Sequence, residues 1–195
     1  MTYTITPIGT ARSPYKQKFG IARQPGLVSA AEVCIELNLE FTTDSVRGLK
    51  HFDYVWISFI FHGVLDEGWA QMVRPPRLGG KQKMGVFATR SPHRPNHLGL
   101  SLLKLNRVET GKPVRLYCSG ADLLDGTPIV DIKPYIPFVE SKPDAASCFV
   151  SGKPEELEVV WLENIGAENL SEHTQNLISQ SIAQDPRPAY QNIPE

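Results

Sequence analysis

Two arginines interleaved with two prolines form the stretch whose residue types point most directly to binding chemistry. Arg90, Pro92, Arg94 and Pro95 all fall within residues 89–96. Each proline fixes its own φ and pushes the residue before it toward extended backbone, so this segment is stiff before any ligand arrives. The two guanidinium groups offer planar pairs of donors to phosphate or carboxylate. The pattern favours an anion-binding loop over its alternative, a solvated loop whose arginines only aid solubility.

A wider basic zone surrounds this loop. The chain has no Asp or Glu between Glu67 and Glu109, although eight of its 20 Lys and Arg residues lie there: Arg74, Arg77, Lys81, Lys83, Arg90, Arg94, Lys104 and Arg107. The net charge of −1 therefore hides a basic face. Because clustered positive charge attracts and steers polyanions, the zone predicts a phosphate-rich partner such as a nucleic acid.

The histidines carry weaker signals. His93 and His97 have the four-residue spacing of two ligands on a helix, but Pro95 between them makes a helix improbable. Zinc also needs further ligands, so we expect polar loop histidines and no metal. His62 directly follows an apolar run at residues 54–61, where a site histidine and a satisfied core histidine both remain open.

A second polar cluster lies near residue 130. Asp125-Gly126 is a hairpin-turn signal, which explains those two residues without invoking function. Asp131 and Lys133 are two apart on a predicted strand, so they share a face of it. They form either a simple ion pair at the rim of the sheet or part of a site.

Several common enzyme signatures are missing from the sequence. No Gly-x-Gly-x-x-Gly follows a predicted strand, residues 79–85 lack the phosphate-loop spacing, and Ser101 lacks the second glycine of a nucleophile elbow. The three cysteines are scattered, which argues against structural zinc and fits a reducing compartment. No apolar run approaches the length of a bilayer span and the amino terminus has no signal-peptide pattern, so we expect a cytoplasmic protein.

The elements that must position these residues are mostly strands. Strand-like runs are predicted at residues 4–8, 32–39, 54–61 (suited to burial on both faces), 85–89, 98–108, 114–119, 129–136 and 157–162. Helices are predicted at residues 44–49, with Asp44 as a possible cap, and at 169–183. Many short strands at this spacing suggest a barrel or sandwich.

These elements predict a mainly β fold. We expect a closed or nearly closed β-barrel with a few short helices and a small α/β carboxy-terminal extension. The predicted domains are a barrel at residues 1–140 and the extension at residues 141–195, with a proline-containing linker at residues 137–154.

Four stretches in order resemble the signatures of one family. Residues 20–27, residues 52–57 leading to His62, residues 87–101 and residues 124–135 are similar to those of the TsaA-like, or TrmO, family. The resemblance covers about the first 140 residues. Residues 185–190 also resemble a motif of longer bacterial members whose small carboxy-terminal domain continues past it, so we expect a shorter extension here.

The resemblance implies a function. Members are S-adenosylmethionine-dependent methyltransferases that add a methyl group to N6 of a threonylcarbamoyladenosine next to the anticodon of tRNA. The family implies a β-barrel rather than a Rossmann fold, and a homodimer with cofactor sites near the subunit interface. The expected partners are therefore S-adenosyl-L-methionine, the tRNA anticodon loop and a second copy of the chain.

The expected site residues fall into three groups, of which the first, the cofactor contacts, is carried over from the family by position. Cofactor contacts are expected from Gln24, Pro25, Gly26, His62, Gly63, Arg90, Leu100, Asp122, Leu123, Leu124 and Asp125. Substrate contacts are expected from Arg94, Asn96 and Lys133, and Asp131 is the candidate base. The family pattern most often has proline where this chain has His97, a change expected to loosen the loop slightly.

Two other functions remain open from the residues alone. A non-enzymatic RNA-binding or small-ligand-sensing barrel would use the same basic loop without methyl transfer. A hydrolase of phosphorylated metabolites would need a metal or a nucleophile, and the sequence offers neither.

Overall fold

Six antiparallel strands close into a barrel in the computed structural model, which describes residues 2–163 and 166–187. The strands in chain order are β1 (Gly9–Arg12), β2 (Val33–Leu37), β3 (Tyr54–Ile60), β4 (Met72–Val73), β5 (Met84–Gly85), β6 (Leu98–Glu109), β7 (Arg115–Ser119) and β8 (Pro128–Pro134). The barrel runs β1-β2-β7-β6-β3-β8, while β4 and β5 form a separate small hairpin. The predicted closed barrel is confirmed.

Alternating side chains from every barrel strand build the core. Val55, Ile57 and Phe59 of β3 point inward and are almost fully buried, as are Ile35 of β2 and Leu103 of β6. The other face of β3 is only half-buried, so the prediction that residues 54–61 are buried on both faces is wrong. An antiparallel barrel needs only one apolar face per strand, since its outer face meets solvent or another surface.

Three predicted strands differ from the structure. The first barrel strand begins at Gly9 instead of occupying residues 4–8, which are exposed or half-exposed. Residues 85–89 form the end of β5 and a single 3-10 turn, Val86–Ala88. Residues 157–162 lie along a helix: the Leu157 N–H donates to the Ala183 carbonyl over 2.9 Å. The runs are locally strand-like, but in the first two only one end pairs with a neighbouring strand: the Ile8 N–H donates to the Ile129 carbonyl, and Gly85 pairs with Met72.

The predicted helices are present with shifted ends. Residues 44–49 are divided by Gly48, at φ 87°, into two 3-10 turns, Thr43–Val46 and Leu49–His51, and Thr42 rather than Asp44 caps the first. The late helix, α2, spans Glu172–Ala183 and is capped by Ser171. A short helix, α1 (Pro137–Glu140), occupies the start of the predicted linker.

The carboxy-terminal extension packs against the barrel through α2. Gln180 Oε1 accepts hydrogen bonds from the Ala30 N–H (3.0 Å) and the Ser29 hydroxyl (3.2 Å). Leu177 packs on a cluster that contains Tyr15 and Val28. The described part of this extension contains helices and no strand, so its α/β character is not observed there. Within residues 2–163 and 166–187, no helix has the length and apolar character needed to cross a membrane.

Barrel closure depends on close contact between the backbones of β1 and β2. A Cβ placed on Gly9 would lie 2.5 Å from the Glu36 carbonyl oxygen, so a side chain would push the two strands apart. We predict that Gly9→Ala lowers the free energy of unfolding by about 1–3 kcal/mol, the usual cost of overpacking. Urea denaturation measures this, with Gly152→Ala as the matched control because no other group lies within 4 Å of the place its Cβ would take. Equal stability of the two variants would contradict the close contact.

Candidate functional site

A cavity of about 530 Å³ opens at one end of the barrel. It lies where β3 and β7 end and where β6 and β8 begin, so four antiparallel strands meet there. Its apolar wall contains Trp56, Phe59 and Phe61, and its polar groups come from four separate chain segments. Its volume falls in the range of small-molecule sites, which are mostly apolar with a few placed polar groups.

The cavity collects most of the predicted cofactor residues. Those that line it are Gln24, Pro25, His62, Gly63, Arg90, Leu100, Asp122 and Leu124, together with the predicted substrate residue Arg94. Predicted residues outside the lining set are Gly26, Leu123, Asp125, Asn96, Lys133 and Asp131. The residues are thus brought together largely as expected, while their individual roles stay predictions.

Three of the residues outside the lining set have structural contacts of their own. The Gly26 N–H donates to the Gly120 carbonyl over 2.8 Å, and Leu123 is buried in the core. Asp125 accepts from the Ser13 N–H at 2.9 Å and pairs with Lys16 at 2.9 Å, which lowers the pKa of its carboxyl. These contacts hold the segments on which the cavity residues lie.

Gly99 gives the cavity its shape. A Cβ on Gly99 would lie 2.3 Å from the ring of Phe59, so that ring occupies the space where a side chain would stand. Phe59 in turn packs edge-to-face on Phe61, with ring centroids 4.9 Å apart. Sequence reasoning missed both Gly99 and Phe59 as site residues. The sequence signal that could have identified them is a glycine within an otherwise apolar strand, because such a glycine often marks a place where another group approaches the backbone closely.

The two arginines of the proline-containing loop differ in the groups to which they donate hydrogen bonds. Arg90 Nη1 donates to Gln24 Oε1 over 2.5 Å and so joins two segments on the cavity wall that are distant in sequence. Arg94 Nη1 donates to the carbonyls of Thr89 (2.8 Å) and Val86 (3.3 Å). Arg94 therefore braces the turn that carries Arg90, and part of its donor capacity is already used.

His97 ties this loop together. Its Nδ1 lies 3.1 Å from the Pro92 carbonyl oxygen, and its backbone N–H donates to the Arg94 carbonyl over 3.0 Å. Its φ of 48° is one that proline, fixed near −65°, does not adopt. The loop is thus closed by His97 contacts, in contrast to the slight loosening expected from the sequence.

Asp122 is the carboxylate on the cavity wall. Its Oδ1 accepts a hydrogen bond of 2.6 Å from the hydroxyl of Ser101, which is 1% exposed. Burial raises the pKa of Asp122 to about 6, against the opposing effects of the Ser101 hydrogen bond and the positive charge of Arg90. A carboxyl in this state is ionised at neutral pH yet is more basic than an exposed one.

Asp131 and Lys133 lie away from the cavity lining. On the β3–β8 ladder Asp131 is opposite Ser58 and Lys133 is opposite Trp56. The Asp131 carboxylate is bonded to the Lys133 ammonium and accepts from the Ile132 N–H at 2.9 Å. The ion pair expected from their two-residue spacing is present, but its position gives no support to Asp131 as the base.

Charged side chains also meet around Glu67. Lys18, on the cavity wall, donates to Glu67 over 2.7 Å, and His93 Nε2 lies 3.8 Å from the other carboxylate oxygen. The Lys18 contact lowers the pKa of Glu67. In the part of the chain that the structure describes, no three His, Cys, Asp or Glu side chains are grouped as a metal site.

A basic hairpin stands next to the cavity. We use this name for residues 68–85, which include β4, β5 and the exposed cations Arg74, Arg77, Lys81 and Lys83. Among the described residues, none of these four cations forms a salt bridge. We call residues 89–97 the Arg90 loop. The Ala70 N–H donates to the His93 carbonyl and so joins the hairpin to this loop, and just before the loop the Val86 N–H donates to the Gln71 carbonyl. The base of the basic hairpin is therefore joined to the loop that contributes Arg90 to the cavity wall.

Comparisons with known proteins agree over most of the chain. The family model described as the tRNA-methyltransferase O N-terminal domain matches residues 10–141. A tRNA (adenine(37)-N6)-methyltransferase of Eikenella corrodens is 63% identical over 144 residues, which cover 74% of this chain and 82% of that protein. A protein of the same name from Escherichia coli K12 is 45% identical over 197 residues, covering 97% of this chain and 84% of that protein.

A solved structure gives the same result for the fold. The crystal structure of TrmO from Pseudomonas aeruginosa superposes with a TM-score of 0.79 at 39% sequence identity, covering 96% of this chain and 84% of that one. Residues 10–141, which the family model matches, contain nearly the whole barrel and every segment of the cavity wall. By these matches, the chain belongs to the tRNA-methyltransferase O family.

Proposed function

We propose that this protein is an S-adenosylmethionine-dependent tRNA (adenine(37)-N6)-methyltransferase that methylates N6 of threonylcarbamoyladenosine beside the anticodon. The observation that carries the proposal is the position of the cavity at the foot of the basic hairpin. A site for a small molecule thus borders a surface suited to RNA phosphates. Relatives that carry the name of this enzyme support the same function. A tRNA substrate implies a cytoplasmic protein.

The cavity residues fit S-adenosylmethionine. An apolar wall that includes Phe59 and Leu100 suits the uncharged parts of the cofactor, and Arg90 offers a guanidinium to its carboxylate. Gln24 and Pro25 lie beside Arg90 on the cavity wall. His62 and Gly63, also predicted cofactor contacts, line the cavity from a different segment of the chain. When bound, the cofactor supplies a methyl group on a positively charged sulfur.

Placement of the acceptor nitrogen is the main task of the protein. That nitrogen belongs to a urea-like group, so its lone pair is delocalised and it is a poor nucleophile. Fixing it in line with the methyl group turns a slow bimolecular reaction into an effectively unimolecular one. The Arg90 loop is suited to this because its prolines, Arg94 and His97 hold it rigid.

The basic hairpin supplies the RNA-binding surface in this proposal. Arg74, Arg77, Lys81 and Lys83 are exposed and form no salt bridge within residues 2–163 and 166–187, and Trp69 at the hairpin base is 51% exposed. Exposed aromatic and cationic side chains together suit unpaired RNA, whose bases stack and whose phosphates bind cations. The anticodon loop is such a segment. Asn96 and Lys133 stay predicted substrate contacts.

We also propose that the protein forms a homodimer through exposed apolar side chains at the rim of the cavity. Leu98 and Leu100 of β6 are exposed although they also line the cavity, and Phe87 is 77% exposed. Outward residues of an antiparallel strand are usually polar when they face water, and grouped exposed apolar side chains mark contact surfaces. Burying these side chains between two copies would bring the two cavities close to the interface.

The first prediction tests the activity and Arg90 together. We expect labelled methyl transfer from S-adenosylmethionine to tRNA that carries threonylcarbamoyladenosine, and little transfer to the same tRNA without that group. Arg90→Ala is expected to reduce kcat/KM by about tenfold to 100-fold, since a hydrogen bond to a charged group contributes about 1.5–3 kcal/mol. Its melting temperature should be nearly unchanged because the residue is exposed.

The control for this prediction is Arg47→Ala, which removes an exposed arginine that pairs with Asp44 away from the cavity. Calorimetry separates the enzyme from a non-enzymatic RNA-binding barrel. Absence of S-adenosylmethionine binding at millimolar ligand would rule out the methyltransferase, and full activity of Arg90→Ala would show that the site is misplaced.

The second prediction concerns the basic hairpin. Replacing Arg74, Arg77, Lys81 and Lys83 by Gln is expected to weaken tRNA binding and to flatten its salt dependence by up to about 3 in log–log slope, at about 0.7 per phosphate contact. Turnover at saturating tRNA should change little because no cavity residue is altered. Filter binding over a range of salt concentrations measures the slope.

A matched variant distinguishes this surface from net charge. Changing Lys50, Lys112, Lys142 and Lys153 to Gln removes the same charge from other exposed positions. Equal loss of affinity in the two quadruple variants would show that the hairpin is not a specific RNA surface.

The third prediction concerns the dimer. Light scattering should give twice the chain mass of 21.7 kDa for the unaltered protein and a single chain mass for Leu98→Glu, because a buried carboxylate at the interface is unfavourable. Leu39→Glu alters another exposed leucine, 70% exposed and outside the cavity lining, and should leave the dimer intact. A monomer before any substitution would disprove the proposed interface.

A further inference from the structure

One carboxylate lies on the cavity wall among the described residues, that of Asp122. Its Oδ1 is held by the hydroxyl of Ser101 at 2.6 Å, and Ser101 is fixed in the barrel interior on β6, between the neighbouring strands β3 and β7. The carboxylate is therefore held in one orientation at the wall of the cavity.

The proposed reaction requires such a group. The acceptor nitrogen begins with one hydrogen. As its bond to the methyl carbon forms and the carbon–sulfur bond breaks, the nitrogen would carry a positive charge unless that hydrogen leaves as a proton. Transfer of the proton to a carboxylate gives a neutral methylated nitrogen, a neutral thioether and a carboxylic acid, so atoms and charges balance.

We propose that Asp122 accepts this proton and that Ser101 is the residue that positions it. The inference rests on the proposed function and adds a group that the sequence assigned to another task, since Asp122 was expected among the cofactor contacts. Asp131, the base expected from the sequence, is opposite Ser58 and bonded to Lys133, outside the cavity lining. A proton acceptor must reach the reacting nitrogen, and among the described residues Asp122 is the carboxylate that lines the cavity.

The surroundings of Asp122 suit the task. Burial raises the pKa of the carboxyl to about 6, and the Ser101 hydrogen bond and the charge of Arg90 both act to lower it. Burial, and to a smaller extent the charge of Asp122, raises the pKa of Tyr15, and Lys18, Arg23, His62 and Arg94 are the other charged or titratable groups on the same cavity wall among the described residues. At neutral pH the carboxylate is ionised and ready to accept a proton, and below about pH 6 it is already protonated.

The test combines rates, binding and a direct titration. Asp122→Asn is expected to lower kcat by about 100-fold or more, the usual contribution of a general base, while the calorimetric Kd for S-adenosylmethionine stays within about threefold. Asp122→Glu should restore part of kcat. In the protein without ligand, the carbon-13 signal of the Asp122 carboxyl should titrate near pH 6, matching the acid limb of the kcat profile.

Ser101→Ala provides the matched variant. Removing a hydrogen bond that favours the ionised form raises the pKa, so both the carboxyl titration and the acid limb of kcat should move to higher pH, with the rate at high pH largely kept. A purely structural role of Ser101 would lower activity at every pH without moving the limb.

The outcomes separate this proposal from the proposed function. If the wild-type protein methylates no tRNA, the proposed function is wrong and this assignment falls with it. If the wild type is active and Asp122→Asn is equally active, only the proton acceptor is misassigned. Loss of cofactor affinity in proportion to loss of rate would make Asp122 a cofactor contact, and an acid limb that follows His62→Gln instead would place the proton on that residue.

Discussion

Pairing of β1 with β8 closes the barrel, and the site depends on that closure. Only two register pairs, Gly9 with Ile129 and Thr10 with Pro128, join the strands directly. Backbone bonds continue the contact beyond them, from the Gly126 N–H to the Ala11 carbonyl and from the Asp125 N–H to the Tyr15 carbonyl. This seam places the segment after β1 beside the segment before β8.

The seam explains why the cavity wall can be made of distant parts of the chain. Gln24 follows β1 by twelve residues and Asp122 precedes β8 by six, yet both line one cavity. Arg90 connects the two sides: its side chain donates to Gln24, and its charge acts on Asp122. A loop and two strand connections thereby behave as one rigid wall.

The cations of the basic zone make different contacts depending on their position in the fold. Arg94 Nη1 donates to the carbonyl of Thr89 in its own loop, Arg90 donates to Gln24 on the cavity wall, and the cations of the basic hairpin are exposed. Among the described residues these hairpin cations form no salt bridge, so their potentials add. One acid-free stretch thus supplies contacts that hold its loop, two arginines on the cavity wall and a group of exposed cations.

The extension has a structural link to the same region. Arg23 lines the cavity and donates to the carbonyls of Asp185 and Arg187, each at 3.0 Å. With Leu177 packed on the cluster around Val28, the helix α2 supports the backbone that carries Gln24 and Pro25. Residues on both sides of the predicted boundary between 1–140 and 141–195 therefore contribute to the region around the cavity.

The sequence by itself determined the alternation that builds the barrel and the acid-free basic zone, and through family resemblance it gave eight of the eleven expected cofactor residues a place on the cavity wall. It could not place residues 4–8 or 157–162 correctly, because strand formation needs a partner that local pattern does not reveal. From residue type and spacing alone, the sequence grouped Arg90 with Arg94 and suggested Asp131 as the base. Only the tertiary structure decided that Arg94 braces a turn, that Asp131 pairs with Lys133 away from the cavity and that Asp122 lies against Ser101, because burial and side-chain contact arise when distant strands close into one barrel.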